Sequence, residues 1–416
     1  MRIGIVIGRI GGVDGVALET EKWIKVLQKL GHQVFVLAGE FEGYARRHHD
    51  FETHFPLLSF FSPECEWEQN KAFFQPDNDP DELLNEIEKV SELIAKRIKK
   101  WLKKKKIEVL ISQNASALPA HLSMGLGIKK VIESSGIKAI THDHDFHWER
   151  GDRYQSIHDS INQFVDKTFP LRIPQVRNVV INSYNKERLK EKFQIEATMV
   201  PNVMDFSKPY GVLNKKNKYF LKHLGVKKKE IPLFQITRIV RRKGIETAIA
   251  LLSKLQNKKV KLVITGNHND DEGAAYFHYL IDLMHDLKLI NQVIFADKMV
   301  LDHKDLSYAY AHARACTYFS TYEGFGNAFV ECALAQKPIF VNNYKPVYWP
   351  DIGSKGFKTV MLEDNNLTDE KVKEIEQIIY DEKLCKEIGL HNYQLAKQHF
   401  SLKTLEALLK ELLLVE

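Results

Sequence analysis

Residues 2–8 read Arg-Ile-Gly-Ile-Val-Ile-Gly, and a glycine-rich loop, an amphipathic helix and a second apolar run at 33–37 follow. This order constrains the fold more than any other feature of the chain. The first run is apolar throughout, as a strand covered on both faces must be. In the helix, Trp23, Val26, Leu27 and Leu30 recur at i, i+3, i+4 and i+7, which makes one buried stripe. Gly31 stands where a helix stops. Strand, glycine loop, helix and strand form the opening unit of a doubly wound α/β sheet. The alternation continues with strands at 107–111, 137–141, 178–181 and 198–200 and helices at 115–134, 153–168 and 183–193, the last capped by Asn182. A second series starts at 231–236, with strands at 260–265, 293–295, 315–319 and 337–341 and long amphipathic helices over 369–398 and 402–414. A chain of 416 residues exceeds one ordinary core. Two α/β domains are expected, 1–201 and 202–398, with 399–416 as a final helix.

Composition excludes several classes. No apolar run is long enough to span a bilayer, and the apolar N-terminus is short and lacks a cleavage site. Cys65, Cys316, Cys332 and Cys385 show no metal-ligand spacing, so they read as reduced thiols of a cytoplasmic protein. The net charge of +6 is mild, and no stripe of arginines and aromatics suggests a nucleic-acid partner. Residues 40–82 have little periodicity and read as irregular insertions and short elements. Residues 83–106 form a helix with a basic end. Leu83, Leu84, Ile87, Val90, Leu93, Ile94 and Ile98 have core spacing, and the terminal lysines suit the helix dipole. The competing reading, a membrane-surface helix using Trp101 and Leu102, is the less favoured.

Three stretches carry chemistry. Residues 321–331, Thr-Tyr-Glu-Gly-Phe-Gly-Asn-Ala-Phe-Val-Glu, follow an apolar strand. Gly324 and Gly326 let backbone approach a ligand, and amides at a helix start favour a negative group. Glu323 and Glu331 are separated by seven residues and suit hydroxyls, as in a sugar or ribose. Residues 237–244 follow another strand. Arg238 and Lys243, five apart, offer a planar fork and a point charge for phosphate oxygens. Arg241, Arg242 and Glu246 read as surface positions. Residues 141–150, Thr-His-Asp-His-Asp-Phe-His-Trp-Glu-Arg, lie just past a strand's carboxyl end, where ligands bind open α/β sheets. A hydrogen-bonded polar loop, an Asp143-x-Asp145 metal motif and a His-x-His metal site are alternatives for this cluster.

The 321–331 motif, with Arg238 and Lys243, resembles the E-x7-E signature of retaining glycosyltransferases of family 4, which includes sucrose-phosphate synthases and bacterial mannosyltransferases. The resemblance implies the GT-B fold: two facing Rossmann-like domains, with the C-terminal helix crossing back to the first. It implies that Glu323 contacts the transferred sugar, Glu331 the ribose, and Arg238 and Lys243 the diphosphate. Gly12, Gly266, Gly324, Phe325, Gly326 and Asn327 fall to the donor. His142 lies by the reacting carbon. Arg9, Asp14, His144 and Asp145 lie on the acceptor side, and Lys298 and Met299 near the base. At 201–205, Pro-Asn-Val-Met-Asp, Val203 stands where the family has glycine. The expected reaction moves a hexose from a UDP-, GDP- or ADP-sugar to a hydroxyl of a small metabolite, oligosaccharide or lipid-linked acceptor. No cofactor or metal is implied. A nucleotide-sugar 2-epimerase and a non-catalytic nucleotide-sugar binder are the rival readings.

Overall fold

The computed structural model describes residues 1–12, 14–42, 50–267, 271–296 and 303–414. The chain divides into two compact units, Met1–Pro201 with Leu405–Glu416, and Asn202–Thr404.

In the first unit the strands are β1 (Arg2–Ile10), β2 (Gln33–Phe41), β3 (Glu52–His54), β4 (Val109–Gln113), β5 (Lys138–Asp143), β6 (Val176–Val180) and β7 (Thr198–Met199). The helices are α1 (Gly15–Lys29), α2 (Pro63–Gln69), α3 (Pro80–Lys105), α4 (Leu122–Ser135), α5 (Asp159–Thr168) and α6 (Ser183–Phe193). Among the described residues the sheet has the order β3-β2-β1-β4-β5-β6-β7, and the pairings are parallel. The chain runs outward from β1 to β3, then returns to β4 on the other side. The crevice between the carboxyl ends of β1 and β4 is therefore the switch point, where open α/β sheets bind ligands.

Asp14 caps α1, its Oδ1 accepting from the Ala17 amide at 2.9 Å. Trp23, Val26 and Leu27 are buried, as their spacing predicts. In α3, Leu83, Ile87, Val90, Ile94 and Ile98 enter the core, but Leu93 is 54% exposed. Trp101 and Leu102 are buried too, so they are not free to enter a membrane. Among the described residues no helix is long and apolar enough to cross one. The helix predicted over 115–134 begins only at Leu122; the stretch before it is loop.

The second unit contains α7 (Phe220–His223), β8 (Ile231–Gln235), α8 (Ile245–Leu255), β9 (Val260–Ile264), α9 (Asp271–Asp286), β10 (Val293–Phe295), α10 (His303–His312), β11 (Ala315–Tyr318) and β12 (Tyr322–Glu323). It continues through α11 (Asn327–Leu334), β13 (Ile339–Asn342), β14 (Lys345–Pro346), β15 (Val360–Leu362), α12 (Asp369–Tyr380) and α13 (Glu382–His399). The main sheet of the described residues is parallel, in the order β10-β9-β8-β11-β13-β15, and its switch point lies between β8 and β11. Leu233, Ile249, Leu252, Leu262, Phe319 and Phe340 join the core cluster beside it. The single helix predicted over 369–398 is two. Asp381 ends α12, and its Oδ1 accepts from the Lys383 and Leu384 amides at 2.9 and 3.0 Å to start α13.

The last helix, α14 (Leu402–Leu414), buries Leu405, Leu409 and Leu412. From Leu405 on it belongs to the first unit. There Glu406 pairs with Lys29 at 2.7 Å, and Arg177 Nη1 donates to the Leu412 carbonyl.

Candidate functional site

In the second unit, two turns leave the carboxyl ends of β8 and β11 and interlock. After β8 the chain makes a one-turn 3₁₀ helix over Arg241–Lys243. The Lys243 side chain turns inward and is nearly buried. Its ammonium donates to Glu323 Oε1, and Arg242 Nη1 lies 3.1 Å from Glu323 Oε2. Ser320 Oγ donates to Glu323 Oε1 as well. The backbones are tied too: the Thr321 amide donates to the Arg242 carbonyl at 2.8 Å, and Arg242 Nη1 to the Tyr322 carbonyl at 2.9 Å. Below, buried Gln235 donates to the Lys243 carbonyl at 2.8 Å and accepts from Thr317 Oγ1 at 2.7 Å.

Burial works to raise the Glu323 carboxyl, but Lys243 and Arg242 outweigh it and hold the group below its usual value. Burial pulls the Lys243 ammonium down, against the attraction of Glu323. The direction that follows from the geometry is that of Glu323: two cations face one carboxylate. Arg238 is exposed, has no carboxylate partner among the described residues, and lies near enough to act on Lys243 electrostatically.

The glycines of this unit are explained by close approach. A Cβ on Gly266 would lie 1.9 Å from the Thr237 carbonyl oxygen, so the loop after β9 packs against the turn carrying Arg238. Gly326 has φ +106°, and a Cβ there would lie 2.1 Å from the Tyr344 hydroxyl. That hydroxyl donates to the Phe325 carbonyl at 3.1 Å. Asn327 Oδ1 accepts from Asn202 at 3.0 Å, which ties the stretch after the unit boundary to the start of α11. Further along α11, Glu331 Oε2 accepts from buried Tyr310 at 3.2 Å.

In the first unit Arg9, near the carboxyl end of β1, lies between two carboxylates, Asp14 Oδ2 at 3.2 Å and Glu42 Oε1 at 3.1 Å. Gly12 has φ +67°, and the Glu42 carboxylate occupies the place of its missing Cβ. Beyond the switch point, β4 and β5 pair with Gln113 opposite His142. Gln113 Nε2 lies 2.9 Å from His142 Nδ1 and 3.4 Å from His144 Nε2. His142 stacks on Trp23, ring centroids 4.1 Å apart. Burial holds His142 well below its usual pKa and His144 at about 4, so both rings are neutral at physiological pH. The Asn114 side chain receives the His144 amide at 3.0 Å, and Asp145 pairs with Arg150 at 2.8 Å. Among the described residues no group of three or more His, Cys, Asp or Glu is arranged to hold a metal ion.

Residues 217–394 match the family described as glycosyl transferases group 1. The mannosylglucosylglycerate synthase of Thermotoga maritima is 30% identical over 98% of this chain and 99% of its own. The chain belongs to the group 1 glycosyltransferases. Solved structures agree on the fold. A glycosyltransferase from Rickettsia africae superposes with a TM-score of 0.72 at 16% identity, covering 99% of this chain and 97% of its own. The Anabaena protein HepE in complex with UDP-glucose gives 0.66 at 15%, covering 99% of each. The fold is GT-B, and the enzyme is a hexosyltransferase of the family 4 type.

In this glycosyltransferase the structure gathers Lys243 and Glu323 into one cluster, with Arg238 beside it, and sets Gly324, Phe325, Gly326, Asn327 and Glu331 along the same turn and helix. In the other unit Arg9 of β1 meets Asp14 at the start of α1, and His142, His144 and Asp145 lie at the end of β5. Lys298 and Met299 lie outside the described residues. Arg242 corrects the surface reading: its side chain is 40% exposed, yet its guanidinium clasps Glu323. Glu246 also has a partner, accepting from Tyr276. Gln113, Asn114, Tyr310 and Tyr344 were not found from sequence, because nothing in their local pattern separates them from ordinary strand, helix and loop residues.

Proposed function

We propose that this enzyme transfers a mannose-type hexose from a nucleoside diphosphate sugar to a hydroxyl of a glucosylglycerate-type acceptor, retaining the anomeric configuration and without a metal. The observation that carries the reading is the clasp of Lys243 and Arg242 on Glu323 beside unpaired Arg238, at the switch point of the second sheet. The sugar and acceptor rest on the full-length likeness to mannosylglucosylglycerate synthase.

In this reading Arg238 and Lys243 receive the diphosphate. As Lys243 shifts toward a phosphate oxygen, Glu323 is released to accept from sugar hydroxyls. Cations fixed before the reaction stabilise charge on the leaving diphosphate without reorganisation. Glu331, held by Tyr310, accepts from the ribose. His142 hydrogen-bonds the sugar near the reacting carbon. No carboxylate in this set serves as a nucleophile in the manner of retaining glycosidases. The departing phosphate takes the acceptor proton on the face it leaves. Arg9, Asp14, His144 and Asp145 serve the acceptor.

The test is an assay of the full chain with glucosylglycerate and a panel of GDP-mannose, UDP-glucose, ADP-glucose and UDP-GlcNAc, with and without EDTA. NMR of the product reads the new anomeric centre. The expected result is an α-mannosyl product from GDP-mannose, undiminished by EDTA. A β-linked product, loss of turnover on chelation, or no product from GDP-mannose would each overturn the corresponding part.

A further inference from the structure

The carboxyl ends of β4 and β5 bring three buried polar side chains into contact: Gln113 is 1% exposed, His142 0% and His144 5%. One terminus of the Gln113 amide faces a nitrogen of each ring, His142 Nδ1 at 2.9 Å and His144 Nε2 at 3.4 Å. The other terminus is buried without a partner among the described residues, and so is His142 Nε2. These facts decide which way round the amide lies. With its nitrogen between the rings, Gln113 donates one hydrogen to each imidazole and leaves a single carbonyl oxygen unmatched. Turned over, it would bury two N–H groups with nothing to receive them. Orphaned buried donors are rarer than under-satisfied carbonyls, so the first arrangement is favoured.

The tautomers follow. A ring nitrogen that accepts carries no hydrogen, so His142 holds its proton on Nε2 and His144 on Nδ1. The free nitrogen of His142 is therefore a donor with no acceptor of its own in the first unit among the described residues. Trp23 holds the ring plane from the α1 side, stacked at 22° to it. His144 is tilted against the ring, with centroids 4.5 Å apart.

We propose that Gln113 is a positioning residue whose amide fixes His142 as the Nε2–H tautomer, so that the ring offers a hydrogen bond to an oxygen of the transferred sugar. The proposal rests on the reading of His142 given above. An oxygen near the reacting carbon gains from a neutral donor that cannot swap its tautomer during turnover. The charged groups that act on His144 are Asp145 after β5 and Lys22 and Asp14 from the α1 side, while His142 feels burial and His144, with no carboxylate accepting from its Nδ1 among the described residues.

The experiment uses the full chain labelled with ¹⁵N in its histidines, His142→Phe serving to assign the His142 signals. At neutral pH the wild type should show His142 protonated at Nε2 and bare at Nδ1. Gln113→Glu places an acceptor against Nδ1, so the proton should move to Nδ1 or the ring should become an imidazolium. In that variant kcat should fall at least about tenfold, the lower end for a partner that orients a functional histidine. KM for the nucleotide sugar should hold, and the acidic limb of the kcat profile should move to higher pH. Gln113→Met, which keeps the volume and removes the amide, should give mixed tautomers and an intermediate kcat; it carries the test if the Glu variant does not fold. A wild-type His142 protonated at Nδ1 would overturn the proposal. So would folded variants with unchanged tautomer and unchanged pH profile. If His142→Phe keeps full kcat while the wild-type tautomer is as stated, the sugar-contacting role of His142 fails and the tautomer assignment stands.

Discussion

Lys243 lies 80 residues before Glu323 in the chain, yet its ammonium meets that carboxylate in a nearly buried setting. Removing either partner strands the other, and an uncompensated buried charge costs more than the pair contributes. Lys243→Ala and Glu323→Ala should each lower kcat by roughly a hundredfold, the scale of a lost transition-state contact. Arg242→Ala leaves Lys243 on Glu323 and should lose only about tenfold, as removal of a partner that orients a functional group does. Steady-state kinetics with saturating donor measures all three, and equal losses would mean that Arg242 acts on the ligand directly. Asp143 presents a different problem. It is fully buried at the end of β5, and neither carboxylate oxygen meets hydrogen-bond geometry. Burial raises it to about 7, against a smaller opposing pull from Thr141. The folded chain thus keeps a proton that the unfolded chain releases near pH 4. Stability from this group is full below that range and is lost as pH rises through about 7. Asp143→Asn should therefore raise Tm above the wild type at pH 8, with the gap narrowing toward pH 5. A gap that stays constant over that interval would assign the proton elsewhere.

At the level of elements, the sequence was most legible where periodicity and caps agree. The strand, helix and strand of β1, α1 and β2 follow from an apolar run, a 3.6-residue stripe and Gly31. Asn182 caps α6 as its position before the helix suggests, its side chain accepting from the Asn185 amide at 2.8 Å. The start of α4 was misplaced because 115–121 is rich in small and apolar residues that fit a helix pattern, while loop hydrogen bonds such as Leu171 amide to Ser116 carbonyl come from far along the chain. The break at Asp381 was missed because the apolar pattern runs on through a capping residue. In the site, the motif residues were readable because glycines and charges stand out in sequence. Gln113, Tyr310 and Tyr344 were not, since a buried partner is defined only by what packs on it. The turn from β12 into α11 shows the consequence. Gly326 needs positive φ and gives room to the Tyr344 hydroxyl, which braces the Phe325 carbonyl. Gly326→Ala pays the left-handed penalty of about 1–2 kcal/mol and also collides with that hydroxyl. Tm should fall, and affinity for the nucleoside diphosphate, read by calorimetry, should fall with it. Tyr344→Phe keeps the ring but loses the brace, so it should weaken nucleotide binding with a smaller change in Tm. A Gly326→Ala enzyme with wild-type affinity would remove this turn from the donor site.

At the scale of the molecule, the same construction appears twice: a parallel sheet whose strand order switches side between its first strand and a later one, with Arg9 and Asp14 in the first unit and Lys243 and Glu323 in the second at that switch and the histidines one strand further on. The first unit is not built from one continuous stretch. The chain leaves the first unit after Pro201, completes the second, and returns at Leu405. Helix α14 is thus part of the first unit's core although it is last in sequence, with Leu405, Leu409 and Leu412 on one buried face and Glu406 paired to Lys29 at the end of α1. The exposed ion pair contributes little, so the leucines hold the helix. Leu409→Ala removes a fully buried side chain and should cost about 2–5 kcal/mol, whereas Lys29→Ala should cost under about 1 kcal/mol. Amide exchange provides the reading. In Leu409→Ala, protection should fall across the strands of the first sheet, including β6, whose Arg177 donates to the Leu412 carbonyl. If protection in β6 and its neighbours is unchanged while only α14 itself exchanges faster, the helix is an appendage that frays alone and the first unit is complete without it.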